Sequence, residues 1–215
     1  MPKILALVCY KSLSETKTGE QVMSLSEPEP ERLLEFLEYV YTLKEIRRRG
    51  WMKKGIQRVE SVADHSFNLA LLSMVMADLR GLNAERSVRI ALLHDLCESI
   101  VGDLTPEDRA KLGIEKSVEE EHKATERILS FLPPALTKKY FDLWEEYKKE
   151  STVEAKLVKE LDRFERAMQA VRYAKNNDLK RALKHFWEEF LKSSQDQLLR
   201  DILQRAIEAQ GSKGT

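Results

Sequence analysis

Apolar residues recur at intervals of three and four positions through most of the chain, starting close to Glu31. This spacing places them along one face of an α-helix, so it predicts a succession of amphipathic helices. The predicted helices cover about residues 31–49, 61–79, 84–100, 115–131, 140–147, 152–173, 178–192 and 194–209. Pro106 and Gly113 delimit a predicted loop between the third and fourth of them.

The first residues do not follow this pattern. Residues 1–28 show no sustained periodicity, and the sequence Glu27-Pro28-Glu29-Pro30 that ends them cannot propagate a helix. We therefore predict a flexible N-terminal extension over 1–28 and one helical domain over 29–210, which includes the C-terminal helices. The sequence after residue 30 contains no internal repeat and no Gly/Ser-rich linker that would divide this domain.

Composition supports this prediction and excludes some functions. Glycine and proline are scarce, with 8 and 6 residues among 215, which favours an all-α fold. Lysine plus arginine and aspartate plus glutamate each number 36, and a net charge of zero disfavours a protein that coats nucleic acid or an anionic membrane. No apolar run approaches the ~20 residues of a membrane span. Two cysteines, Cys9 and Cys97, fit a reducing compartment, so we expect a cytoplasmic protein.

Three polar side chains interrupt the apolar run of the third predicted helix. At 100° per residue, His94, Asp95 and Glu98 lie within one arc about 100° wide. Carboxylates in apolar surroundings are costly unless something neutralises them, and a divalent cation does so well. This segment is therefore a candidate metal site.

Other helices offer residues that complete such a site. His65 lies near the start of the second predicted helix, and Asp162 shares a face of the sixth with Val158, Glu165 and Gln169. Together with His94 and Asp95 they would supply imidazole nitrogens and carboxylate oxygens from three helices. Such a mixture suits Mn²⁺, Co²⁺, Fe²⁺ or Mg²⁺ better than a structural zinc ion, which favours thiolates.

Simpler interpretations of these residues remain open. A lone histidine on a helix is usually a packed or surface residue, and an aspartate such as Asp64 at a helix start is usually a cap. A His-Asp dipeptide is weak evidence by itself. We assign no role to His122 or His185, and we expect Trp144 and the other aromatic residues of the fifth helix to lie in the core.

The wider setting of the His-Asp pair resembles the HD-domain metal-dependent phosphohydrolases, and within them the 5′-deoxynucleotidase branch. The similar segments are 48–51, 60–66, 93–106, 119–121, 143–147 and 154–163. They occur in the family's order and span about Leu33 to Tyr173. The resemblance implies an all-α fold with a single HD-domain helical bundle.

The resemblance also assigns roles to individual residues. It implies that the metal ligands are His65, His94, Asp95 and Asp162. Glu98 matches the family's catalytic acid, and Asp103 matches a second acidic position of the active site. Some members of this branch hold a second cation, which here would lie on Glu98, Asp103 and the backbone carbonyl of Leu104.

Substrate contacts are implied near the end of the first predicted helix. Arg48 or Arg49 would bind the substrate phosphate, and Trp51 would pack on the sugar. In bacterial relatives an arginine directly precedes the tryptophan, whereas Gly50 intervenes in this chain. Both arginines therefore remain candidates.

The implied activity is hydrolysis of 2′-deoxynucleoside 5′-monophosphates to deoxynucleoside and phosphate. The implied cofactor is Mn²⁺, Co²⁺, Mg²⁺ or Fe²⁺, and the implied assembly is a homodimer. The aromatic fifth helix offers an interface for this dimer, although burial within one chain explains it equally well. Partners other than the small deoxynucleotide, such as nucleic acid or a membrane, are not expected.

Two alternatives stay open at this point. One is an HD phosphohydrolase that acts on another nucleotide or phosphate ester. The other is a non-catalytic, metal-stabilised helical interaction module, which would have no need of Glu98 and Asp103.

Overall fold

The computed structural model describes residues 27–211, and these residues form eleven helices. The helices are α1 (Pro30–Thr42), α2 (Arg49–Lys53), α3 (Val62–Leu79), α4 (Ala84–Leu93), α5 (Glu98–Val101), α6 (Pro106–Leu112), α7 (Ile114–Leu129), α8 (Pro134–Lys149), α9 (Val153–Tyr173), α10 (Asn177–Ser193) and α11 (Gln197–Gly211). Within this range the only β structure is one isolated antiparallel bridge, between Arg47 and Ser61. The all-α prediction is confirmed. The predicted extension over 1–28 lies outside the described residues, apart from its last two positions.

Helix α9 lies at the centre of the bundle. It packs against α3, α4, α8, α10 and α11. Its apolar residues Ala155, Val158 and Leu161 are fully buried, because a helix surrounded by neighbours must be apolar over most of its circumference. Asp162 and Glu165 are acidic residues on this same central helix, which places them inside the bundle rather than on its surface.

The predicted helix starts are confirmed where a side chain caps the helix. Ser61 accepts a hydrogen bond from the backbone N–H of Asp64, and Asp64 accepts one from the N–H of Ser61, which forms a capping box at α3. At the starts of α4 and α9, the side chains of Asn83 and Thr152 each accept one hydrogen bond, from the backbone N–H of Arg86 and of Ala155. The role of Asp64 is therefore that of a cap, and His65 lies in the first turn that this cap fixes.

Backbone hydrogen bonds between residues 46–48 and 60–62 connect the α1–α2 loop to the start of α3. The backbone N–H of Arg48 donates to the carbonyl of Glu60 at 3.1 Å, and that of Val62 donates to the carbonyl of Ile46 at 2.9 Å. These bonds fix Arg48 beside the first turn of α3, which contains His65.

Two predicted helices are divided in the structure. The first ends at Thr42 rather than near Arg49, and Arg49–Lys53 forms the separate helix α2. The third ends at Leu93, and residues 94–97 form a turn with hydrogen bonds between positions three apart before α5 begins. The single-arc geometry predicted for His94, Asp95 and Glu98 was therefore wrong, since it assumed one continuous helix.

The loop predicted between Pro106 and Gly113 was also wrong, because these residues delimit a helix. Thr105 and Asp108 form a capping box at the start of α6, and proline is well tolerated at the first helical position. Gly113 follows the last residue of the helix with a φ of +96°, a conformation that glycine adopts readily.

Apolar faces of α1 and α3 point away from the bundle. Leu79 of α3 is 69% exposed, and several other large apolar residues on the same face are exposed to lesser extents. Helix α3 is apolar on both sides, so its periodicity could not identify the buried one. Among the described helices, none combines the length and the apolar content that crossing a bilayer requires.

Candidate metal centre

Three of the predicted ligands converge inside the bundle. His65 comes from α3, His94 directly follows the last residue of α4, and Asp162 comes from α9. One potential ligand atom from each of them lies within 4.8 Å of the other two, and Nε2 of His65 is 3.4 Å from Oδ1 of Asp162. Both imidazoles are buried. The sequence prediction that these distant residues meet is supported by this geometry.

Asp95 lies at the edge of the same cluster. Its Oδ2 is 2.9 Å from Nε2 of His94 and 4.0 Å from Nε2 of His65. The turn at residues 94–97 brings this about, since it directs two consecutive side chains to the same point, which a regular helix would not do. Three predicted ligands therefore share one cluster, and the fourth, Asp95, lies within 4.0 Å of its two histidines.

The hydrogen bonding of the two histidines fits a cation at this position. Nδ1 of His65 bonds to Glu165 at 2.7 Å, and Nδ1 of His94 bonds to the carbonyl of Ala91 at 2.7 Å. Both Nε2 atoms are buried and have no hydrogen-bond partner. Buried polar atoms without a partner are costly, and a metal ion bound to both nitrogens would remove that cost.

Electrostatics at the cluster keep its carboxylates ionised. Burial raises the pKa of Asp162, but its 3.4 Å contact with Nε2 of His65 and the charge of Arg166 outweigh burial and hold the pKa well below its usual value. The pKa of Asp95 is likewise lowered, because His94 and Arg48 outweigh burial. Burial and Arg48 lower the pKa of His65, whereas its contact with Asp162 and its hydrogen bond with Glu165 raise it, and the result is about 9. The site is therefore strongly attractive to positive charge.

Glu98 has the opposite electrostatic environment. It is the first residue of α5, it is buried, and its Oε2 has no hydrogen-bond partner. Burial, together with the charges of Asp95 and Asp103, raises the pKa of Glu98 well above its usual value. Such a carboxyl group can carry a proton near neutral pH, which is what a general acid or base requires.

The two candidate arginines are placed differently. The guanidinium of Arg48 lies between two site carboxylates, 3.3 Å from Asp95 and 3.7 Å from Asp103. The side chain of Arg49 is half exposed and lies 3.5 Å from Asp108, and only its backbone N–H bonds to Asp103. The structure thus brings the charge of Arg48 to the site and directs that of Arg49 away from it.

Trp51 lies in the core beside the site. Its ring is only 2% exposed and packs against Tyr173 and Phe186, with centroid distances of 5.6 and 4.7 Å. Its indole N–H donates to Glu60 at 2.8 Å. The predicted contact with a substrate sugar would require an edge of this ring to become accessible. Leu104 lies in the segment between α5 and α6, directly after Asp103.

Two residues that contact the ligands had no role in the sequence prediction. The hydroxyl of Tyr147 donates to Oδ2 of Asp162 at 2.9 Å, and Glu165 bonds to His65 as described above. Tyr147 was predicted only as part of the aromatic core. Glu165 was noted on the Asp162 face of its helix, and an acidic residue one turn after a predicted ligand was the available signal.

Several known proteins are similar to this chain. The HD domain family model matches residues 40–205. The 5′-deoxynucleotidase HDDC2 of Homo sapiens is 45% identical over 141 residues, which cover 66% of this chain and 68% of that protein. The 5′-deoxynucleotidase HDDC2 of Mus musculus is 43% identical over 141 residues, which cover 66% of this chain and 69% of that protein.

Solved structures show the same fold. A conserved hypothetical protein from Pyrococcus furiosus superposes with a TM-score of 0.64 and 30% identity, covering 80% of this chain and 98% of its own. The PH0347 protein from Pyrococcus horikoshii OT3 gives a TM-score of 0.65 and 29% identity, with 81% of this chain and 98% of its own covered. The match to the family model spans well over half of the sequence, and it includes every predicted ligand. This chain therefore belongs to the HD domain family.

Proposed function

We propose that this protein is a metal-dependent 5′-deoxynucleotidase, a phosphoric monoester hydrolase that converts 2′-deoxynucleoside 5′-monophosphates to deoxynucleosides and inorganic phosphate. The main structural support is the convergence of two unpartnered, buried Nε2 atoms, from His65 and His94, on Asp162. The substrate class is supported by relatives named 5′-deoxynucleotidases, at 45 and 43% identity over about two thirds of the chain.

In this mechanism His65, His94, Asp95 and Asp162 hold a divalent cation. When bound, the cation lowers the pKa of a water molecule and polarises the phosphate. Net hydrolysis adds the water oxygen to phosphorus, breaks the P–O5′ bond and transfers one proton to the departing O5′. Glu98 has the burial and the raised pKa needed to hold or move that proton at Oε2.

Arg48 is the proposed phosphate anchor. Its guanidinium is buried beside the ligand Asp95, and a planar guanidinium can donate two parallel hydrogen bonds to phosphate oxygens. Asp103 orients Arg48 from the other side, at 3.7 Å from its Nε. Trp51 remains the candidate for packing against the sugar, and close packing at the 2′ carbon would select against ribonucleotides.

Several finer features are part of the same proposal. The nitrogen and oxygen ligands suit Mn²⁺, Co²⁺, Mg²⁺ or Fe²⁺. A second cation on Glu98, Asp103 and the Leu104 carbonyl, the domain limits 29–210 and a cytoplasmic location stay predictions. The family match over 40–205 supports the domain limits.

We also propose a homodimer, and the structure favours α3 as its interface. The aromatic residues Trp144 and Tyr147 of α8 are buried within one chain, so they offer little surface for a partner. By contrast, one outward face of α3 consists of large apolar side chains that are 40–69% exposed: Phe67, Leu71, Met74, Val75 and Leu79. A continuous apolar face of this kind is typical of an interface.

A direct test compares deoxyribonucleoside and ribonucleoside 5′-monophosphates as substrates of the Mn²⁺- or Co²⁺-loaded protein, with phosphate release as the measurement. We expect deoxynucleotides to react roughly 5- to 150-fold faster, since an unpaired 2′-hydroxyl costs roughly 1–3 kcal/mol. His94→Ala and Asp95→Ala should abolish both activity and metal retention.

Other results of the phosphate-release test would support one of the two alternative functions. Preferred hydrolysis of a nucleoside triphosphate or another ester would identify a different phosphohydrolase. If the cation raises the unfolding temperature but no phosphate ester is hydrolysed, the non-catalytic interaction module is correct and the enzyme proposal is rejected.

A further inference from the structure

Two proposed metal ligands each form a hydrogen bond with a buried side chain, through the atom that does not face the proposed cation position. Tyr147 donates to the outer oxygen of Asp162, and Glu165 bonds to the outer nitrogen of His65. We propose that Tyr147 and Glu165 are positioning residues that set the cation affinity of the centre. This inference rests on the proposed metal ligands, and it does not depend on which phosphate ester is the substrate.

Tyr147 determines which oxygen of Asp162 is available to bind a cation. Its hydroxyl occupies Oδ2 at 2.9 Å, while Oδ1 faces Nε2 of His65 at 3.4 Å. A phenolic hydroxyl keeps its proton near neutral pH, and a carboxylate oxygen can only accept, so the hydroxyl is the donor in this bond. The same ring contacts the imidazole of His94, with a centroid distance of 5.2 Å. One side chain from α8 therefore restrains ligands from two other parts of the chain.

Glu165 determines which nitrogen of His65 is available to bind a cation. Its Oε2 lies 2.7 Å from Nδ1, so the carboxylate keeps a proton on Nδ1 and leaves Nε2 as the nitrogen that can bind a cation. The amide of Asn68 donates to the other oxygen of Glu165 at 3.4 Å, which limits rotation of the carboxylate. Because Glu165 follows Asp162 by three residues on α9, one helix supplies both a ligand and the group that orients another ligand.

Outer hydrogen bonds of this kind have a measurable effect on metal binding. They reduce the reorganisation that ligands undergo when an ion binds, and their removal typically costs 10- to 100-fold in affinity. A purely structural role makes a different prediction. If these bonds only satisfy buried polar groups, their loss lowers the stability of the metal-free protein and leaves the affinity of the folded protein unchanged.

The test uses conservative variants of the full chain. Tyr147→Phe removes only the hydroxyl, and Glu165→Gln removes the charge but keeps an acceptor oxygen. Matched controls are Tyr140→Phe on α8 and Glu160→Gln on α9, whose side chain pairs with Arg163 at the surface. Calorimetric titration with Mn²⁺ should show roughly 10- to 100-fold weaker binding for the first two variants and less than a twofold change for the controls.

Further measurements separate an effect on the orientation of the metal ligands from an effect on the stability of the metal-free protein. Glu165→Ala should bind Mn²⁺ more weakly than Glu165→Gln, because it loses the acceptor as well as the charge. The absorption spectrum of bound Co²⁺ should change in the Phe and Gln variants, since the ligand orientation changes. Circular dichroism and the unfolding temperature of each metal-free variant confirm that it is folded at the titration temperature.

The outcomes are distinct from those that test the proposed function. Parent-like Mn²⁺ affinity and an unchanged Co²⁺ spectrum in both conservative variants would overturn the positioning role, whatever happens to turnover. Failure of the parent protein to bind any cation would reject the metal centre and this inference together. Hydrolysis of an unexpected ester would overturn only the substrate assignment.

Discussion

At the scale of single residues, the two neighbouring arginines give a sharp prediction. Arg48→Ala should raise the KM for a deoxynucleoside monophosphate roughly 10- to 100-fold, because a charged hydrogen bond contributes about 1.5–3 kcal/mol. Arg49→Ala is the matched control and should change KM by less than twofold, since its side chain lies 3.5 Å from Asp108 and half in solvent. Steady-state kinetics at saturating metal measure both. Equal effects on KM would contradict the assignment of Arg48.

Glu98 gives a second prediction at this scale. Glu98→Gln keeps the shape of the buried side chain but cannot transfer a proton, so kcat should fall by roughly 10²- to 10⁴-fold. Metal analysis of the purified variant should still find the ion, because Glu98 is not among the four proposed primary ligands. The exposed Glu107→Gln serves as control. Full turnover by Glu98→Gln would show that another group moves the proton.

The ligands themselves were more predictable than the residues that hold them. Polar residues in apolar helices, such as His94 and Asp162, are conspicuous in a sequence because burial would otherwise be costly. Tyr147 gives no such signal, since a tyrosine in an aromatic helix fits the core equally well. Its role depends on where its hydroxyl points, and only the packing of α8 against α9 decides that.

At the scale of secondary structure, the cap of α3 links helix stability to the site. Ser61→Ala removes one member of the capping box and should lower the free energy of unfolding by about 1 kcal/mol. Because His65 lies in the first turn of this helix, metal binding should weaken as well. Chemical denaturation of the metal-free protein measures the first effect, and Ser193→Ala, at an exposed helix end, is the control. Unchanged stability would show that the cap is dispensable.

The cap of α6 predicts a pH dependence. Hydrogen bonds from Thr105 and Lys53 hold the pKa of Asp108 below its usual value. A carboxyl group with a lowered pKa stabilises the fold above its unfolded-state pKa, about 3.9, and this contribution is lost as the pH falls. The denaturation midpoints of the parent and Asp108→Asn should therefore differ most at about pH 6. This difference should shrink below about pH 4. A difference that stays constant with pH would contradict this role.

Helix starts were predicted better than helix interruptions. Caps such as Asn83 and Thr152 are local signals, and both lie at helix starts in the structure. The turn at 94–97 has neither glycine nor proline, so none of its residues signals the end of α4. In this turn the side chains of the consecutive residues His94 and Asp95 approach each other, with Nε2 and Oδ2 2.9 Å apart. The sequence pattern therefore selected His94 and Asp95 as candidate ligands while assuming an incorrect local geometry.

At the scale of the whole molecule, the outward face of α3 predicts how two chains meet. Phe67, Leu71, Met74, Val75 and Leu79 follow one another along a single face about 18 Å long, while the opposite face, which includes Leu69 and Met76, is buried. A second copy that packs its own α3 against this face would cover it by two-fold symmetry, in which each residue meets the same patch of its partner. Exposed apolar faces of this length are costly in water, and dimerisation removes that cost.

Leu71 lies near the middle of this face, so a charge there should be the most disruptive. Leu71→Glu should convert a dimer to a monomer at micromolar concentration without unfolding it, because the side chain is already 49% exposed within one chain. Ile114→Glu places the same charge at an apolar residue of α7 that is 70% exposed and lies outside the α3 face, and this control should remain dimeric. Sedimentation equilibrium distinguishes the two masses. A parent protein that is monomeric, or a dimer that persists in Leu71→Glu and dissociates in Ile114→Glu, would place the interface elsewhere or exclude it.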